Sequence, residues 1–200
     1  MTTSRTLGIA TLALTTVLML TGCGSQEPDA SGDPTSAGTS ESADGATAPA
    51  DWQEVKIDVA QIHMPPDWSI LSQRANAASF AAAKDELGLI PGSGTMGSGV
   101  NSPSGNVKAD IEHATESRLE TYRNDPNRKN VKRLADVTIN DVLFSHFQWE
   151  VGQRWNSEYV TVTPDGQSVI TVGWGFSKSG LDRDGSQRMI DPAMETFELR

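Results

Sequence analysis

Apolar residues divide the chain into three unequal stretches. Residues 7–20 are almost continuously apolar. Residues 24–50 hold no aromatic or large aliphatic side chain. From Trp52 onward apolar and polar positions alternate in short patterns. Val55, Ile57 and Val59 have polar neighbours, the period-two signature of a strand with one buried face. Residues 61–64 predict a second short strand, and Pro65-Pro66-Asp67 a turn into strand-like Trp68-Ser69-Ile70-Leu71. The Ala-rich residues 75–87, with Phe80 and Leu87, read as helix on propensity, with an extended strand as the alternative. Residues 88–106, rich in Gly, Ser, Pro and Asn, predict a loop.

Asn106 is placed to cap a helix over 107–123. On it Val107, Ile111, Ala114, Arg118 and Tyr122 share one face with Leu119 beside them. Pro126 closes that unit. Strands are predicted over 131–139 and 142–151 around Asn140-Asp141. Two more, over 159–163 and 169–176, flank the turn Pro164-Asp165-Gly166. Residues 183–191 predict a short helix that stops before Pro192, and Phe197 and Leu199 complete the core. The sum is an α+β domain over residues 51–200, an antiparallel β-sheet with helices packed on it.

The first two stretches speak of location. Arg5 precedes an apolar run of 14 residues, too short for the roughly 20 that a membrane-spanning helix needs. The run ends in Leu20-Thr21-Gly22-Cys23, which resembles the bacterial lipobox. That resemblance implies a signal peptide over 1–22, cleavage before Cys23, and a diacylglycerol thioether on the Cys23 sulfur. Cys23 is the single cysteine of the chain. Two acyl chains anchor stably where one is marginal. Residues 24–50 cannot order themselves and form a tether of roughly 30 Å r.m.s. span. The chain carries a net charge of −10; without Arg5 the mature form carries −11. Five of its acids lie in the tether, which leaves the domain mildly acidic and speaks against nucleic acid as a partner.

Ile62-His63-Met64-Pro65-Pro66-Asp67-Trp68, the helix 107–123, the strands around Ile139-Asn140-Asp141, and Ile190-Asp191-Pro192 before Phe197 resemble the PsbP/LpqN-type domain of bacterial lipoproteins. The resemblance covers about 150 residues. It implies a PsbP-like α+β sandwich in a lipoprotein setting and no particular reaction. The chain departs from the pattern at its Gly-rich 88–106 and at Asn140-Asp141, which lacks a glycine.

No catalytic constellation, metal site or cofactor motif stands out. His63, His113 and His146 are far apart in sequence. Glu112, Glu116 and Glu120 read as a solvated helix face. Residues 92–99 have P-loop-like glycine spacing, but Ser98 stands where the lysine must be, so a surface loop is the reading, with a ligand-gating lid as the lesser alternative. Asp182-Arg183-Asp184-Gly185 lacks the further ligands of a calcium loop. Alternation places Trp149 and Trp174 in the core, and Trp68 after its turn. Trp155, beside Arg154 in a predicted hairpin loop, reads as exposed. Thr171, Gly173 and Gly175 form a bare strip that a helix, or less readily a ligand, could approach. Arg123, Arg128, Lys129, Lys132 and Arg133 cluster as a basic patch suited to anionic headgroups or cell-wall polymer, with a plain solvated loop as the simpler alternative.

The reading is a monomeric, lipid-anchored protein on the extracytoplasmic face of the cell membrane. Its non-catalytic domain binds a cell-wall polymer or an envelope protein, or supports an envelope process. The candidate surface is Trp155, Arg154, Arg128, Lys129, Lys132 and Arg133. The alternative is a small envelope hydrolase using His146 or His113 with a carboxylate. Metabolic labelling with a fatty-acid analogue is expected to mark the chain, and Cys23→Ser to abolish the label; a labelled Cys23→Ser chain would overturn the anchor.

Overall fold

The computed structural model describes residues 48–84 and 91–200. The signal segment, Cys23 and most of the tether lie outside the described residues, as do residues 85–90. Val55 and Ile57 alternate into the interior along β1 (Gln53–Ile57), which pairs with β2 (Ala60–Met64). Pro65 turns the chain into β3 (Trp68–Arg74), whose hairpin partner is β4 (Ala77–Ala82). The helix expected from the Ala-rich stretch is therefore a strand over its described part. Its alanines are small enough to line a sheet face, and Ala78, Phe80 and Ala82 point into the core.

Residues 88–106 also differ from the expected loop. Within them Gly92–Val100 is β5, a nine-residue strand in the interior of the large sheet rather than a loop or lid. Its glycines are demanded by the packing. A Cβ on Gly92 would lie 2.5 Å from Cε1 of Phe176, and one on Gly94 would collide with the Phe80 ring. Gly94 faces Phe80 on one neighbouring strand and Trp174 on the other, and Gly92 faces Phe176. Large cross-strand rings cover the space that glycine leaves.

Asn106 caps α1 (Val107–Asn124), its Oδ1 accepting from the Ala109 N–H at 3.1 Å. The expected strand over 131–139 divides into β6 (Arg128–Arg133) and β7 (Val137–Ile139). Between them Leu134 donates its N–H to the His146 carbonyl. Asn140 and Asp141 both take positive φ, 47° and 62°, a two-residue turn that suits the twist of the hairpin into β8 (Val142–Val151). The meander continues through β9 (Arg154–Val162) and β10 (Ser168–Ser177). Asp182 then caps α2 (Arg183–Met194), accepting from the Gly185 N–H. The helix passes through Pro192 instead of stopping before it. Proline forfeits one backbone bond, but Ala193 and Met194 bury fully and Thr196 donates its hydroxyl to the Ala193 carbonyl at 2.7 Å. β11 (Glu198–Leu199) then pairs with β2.

The fold is α+β, with every strand pairing antiparallel. The small sheet runs β1-β2-β11. The large one runs β3-β4-β5-β10-β9-β8-β6, with β7 also on β8. Both of its edge strands carry a register shift against their neighbour, at Ile70/Ser72 and at Lys129/Lys132. One face of the large sheet packs on the small sheet and α2 through Ile62, Phe80, Phe144, Trp174, Ile190 and Phe197. The other receives α1 through Leu119 against Phe147, Trp149 and Val160. Gly94→Ala is expected to cost about 1–3 kcal/mol through overpacking. Gly99→Ala, whose Cβ would meet nothing within 4 Å, should stay within about 0.5 kcal/mol. Urea unfolding of the two variants checks the contrast.

Candidate binding site

Arg183, Gln187, Asp191 and Glu195 recur at every fourth residue along α2 and so share one face. With Asp184 and Met194 beside them they form one wall of a cavity of about 720 Å³. Leu134, Val137, Ile139 and Asn140 form the facing wall, and His146, Gln148 and Tyr159 the floor. The Asn140 amide donates to the carbonyls of Glu195 and Phe197, at 2.7 and 3.0 Å, and ties the β7–β8 turn to the end of α2.

The floor is built by strand register. His146 lies directly across from Tyr159, and their rings stack at 4.1 Å with an 11° interplanar angle. His146 Nε2 is 2.7 Å from Ser157 Oγ. Its Nδ1 has no partner among the described residues and is not sealed from solvent. Burial drives the His146 pKa down to about 4, against the upward pull of the Asp191 carboxylate. The imidazole is therefore neutral at physiological pH. Burial also pushes the Tyr159 hydroxyl up to about 12, opposed by the Gln187 amide. Gln187 Nε2 donates to Tyr159 Oη at 2.8 Å and to Asp191 Oδ1 at 2.6 Å. Arg183 donates to Gln148 and Glu150, and its guanidinium lies 4.7 Å from the Trp155 ring centre.

His146 and Ser157 are the one base–hydroxyl pair that the fold brings together here. Acyl transfer would further need a carboxylate on Nδ1 and space for a carbonyl at the hydroxyl. Asp191 instead accepts from Gln187, and Ser157 lines a separate void of about 10 Å³ beneath α2. His113 is exposed on α1. Among the described residues no three His, Cys, Asp or Glu side chains converge as a metal ion requires.

The sequence-derived surface is distributed differently from expectation. Trp155 is half-buried in β9, not exposed in a loop: its indole N–H donates to the Leu181 carbonyl, and Lys178 and Arg183 lie over its ring. Arg154 reaches the other sheet face, donating to Ser93 Oγ at 2.8 Å and the Gly175 carbonyl at 2.7 Å. The bare strip thus receives the chain's own Arg154 at Gly175, while Gly173 faces Thr95 and Glu158. The basic cluster is largely neutralised. Arg128 pairs with Asp125 and stacks 3.5 Å from the Tyr122 ring centre. Arg133 pairs with Glu112, Glu116 and Asp136, and Arg123 with Glu116. Lys129 and Lys132 remain exposed on edge strand β6.

Tyr159, Gln187 and Asp191 escaped the sequence reading, although the four-residue spacing of α2 carried a signal. So did Glu158, which is buried beneath α1 and accepts from Arg118 and Tyr122, each at 2.8 Å. Burial pushes its carboxyl pKa up, and the Arg118 charge opposes the shift.

No family model matches the chain, and no curated protein matches it. Among solved structures, a Bacteroides thetaiotaomicron protein aligns at 11% identity and a TM-score of 0.45, over 73% of this chain and 47% of that one. The chain thus spans less than half of that protein. The Ran-binding protein Mog1p of Saccharomyces cerevisiae aligns at 9% identity and a TM-score of 0.49, over 74% and 95%. A second Mog1 structure gives 10% and 0.48. Likenesses this distant carry no argument about this chain's activity.

A histidine with a depressed folded-state pKa takes up its proton more readily when unfolded. Its stabilisation is complete above the unfolded pKa of about 6.5 and is lost as pH falls through about 4. The unfolding free energy from urea titrations should fall over that window, by up to about 3 kcal/mol in total from this group. His146→Gln should flatten that part of the profile.

Proposed function

We propose that the chain is a lipid-anchored protein of the extracytoplasmic membrane face whose domain binds a small ligand in the cleft between α2 and strands β7 to β9, without catalysing a reaction. The cleft carries this reading. Its volume of about 720 Å³ falls in the usual range for ligand sites, about 300–1,000 Å³. It joins an apolar wall to a few polar groups that hold one another in place, as ligand sites do.

The lipobox at Cys23 supports the location, and the resemblance to PsbP/LpqN-type lipoproteins agrees with it. Membrane attachment through the Cys23 lipid puts the domain within reach of cell-wall polymer and envelope proteins, with the chain acting as a monomer. The acidic domain offers nucleic acid no electrostatic footing.

One observation favours a second reading. The 2.7 Å contact of His146 with Ser157 is what a small envelope hydrolase would use. Complementation of a deletion strain separates the two. Under the binding reading, Ser157→Ala, which removes the hydroxyl a hydrolase would need and lies outside the cleft lining, restores the envelope phenotype, and Gln187→Trp, which fills the cleft, does not. If folded Ser157→Ala fails while Gln187→Trp succeeds, the binding reading is wrong and the hydrolase stands.

A further inference from the structure

We infer that the cleft takes a cationic ligand, a primary ammonium or guanidinium group carried on an apolar body. The inference rests on the binding reading above and adds the chemistry of the occupant.

Three carboxylates, Asp184, Asp191 and Glu195, stand on the α2 wall, and none makes an ion pair among the described residues. The one cation of the lining, Arg183, is already engaged by Gln148, Glu150 and the Trp155 ring. The facing wall brings no charged side chain. Asp191 and Glu195 also sit at the C-terminal end of α2, whose last turn holds no basic residue. The backbone dipole gives that end a partial negative charge, so carboxylates there are held at an electrostatic cost. An incoming cation would relieve it.

A second observation comes from the floor. His146 is only 6% exposed, yet it lines the cleft and its Nδ1 has no hydrogen-bond partner among the described residues. In the tautomer in which Nε2–H donates to Ser157, Nδ1 offers a lone pair to a ligand N–H. A neutral acceptor on the floor and carboxylates without an ion pair on the wall both point to a nitrogen cation. Val137, Ile139 and Met194 give the ligand's body an apolar bed.

Three probes share one body and differ in charge: 4-phenylbutylammonium, 4-phenylbutanol and 4-phenylbutanoate. Each is titrated into the full-length chain while the His146 Cε1–H and Met194 methyl NMR signals are followed. The ammonium probe should bind at least about ten-fold more tightly than the carboxylate. Asp191→Asn with Glu195→Gln should weaken it by about ten-fold and leave the alcohol unchanged. Equal binding of ammonium and alcohol, or a preference for the carboxylate, would overturn the cationic assignment and leave the cleft as a binding site. If no probe moves either signal, the cleft reading falls with it.

Discussion

The fold depends on the aromatic rings that close over the backbone of β5. Gly94 lies between Phe80 and Trp174, whose ring centres are 5.3 Å apart, and Trp68 joins them 5.9 Å from Trp174. These rings come from three strands and, with β5 between them, span four neighbouring ones. They weld the β3–β4 hairpin, formed early in the chain, to the meander formed late in it. Such pairings bridge long sequence separations, so each costs loop-closure entropy that burial must offset. Full burial of a ring the size of Phe80 contributes about 1.5–3 kcal/mol toward that end. The strand can carry such rings only because it yields its own side chains to them.

The cleft follows from the same frame. The meander sets His146 across from Tyr159, and the core that holds Ile190, Ala193 and Met194 seats α2 above that pair. The buried positions of α2 thereby fix the rotation of its outer face. Arg183, Gln187, Asp191 and Glu195 turn toward β7 because the opposite side of the helix is committed to packing. Pro192 is tolerated for the same reason, since the final turn is held by what it buries and not by its backbone bonds alone.

Much of this was legible in the residues. The α1 face, the Asn140-Asp141 hairpin, the turn after Val162 and the inward placement of Trp149 and Trp174 all follow from periodicity and turn chemistry. β5 was not legible, because alternation is read from side chains and the inward positions 92 and 94 have none. The end of α2 was misjudged because proline is a local signal and Met194 packing a distant one. Of the cleft, His146 was visible as a candidate, and the spacing along α2 was there to be read. The fact that α2 lies against His146 and Tyr159 was not, since it depends on tertiary contact between segments about 28 to 41 residues apart in sequence. Trp155 was misplaced for a related reason: the Leu181 carbonyl that accepts from it comes from a later segment.

The register shifts in β3 and β6 bear on how this sheet ends. A strand edge offers unpaired backbone donors and acceptors to any extended chain nearby. A bulge breaks the regular spacing that such a chain would have to match. β6 adds Lys129 and Lys132, whose ammonium groups an added strand would crowd. Both borders of the large sheet are thus interrupted, one of them guarded by charge as well. The sheet is poorly suited to grow by accretion, which favours discrete molecules over stacked ones when many copies crowd together.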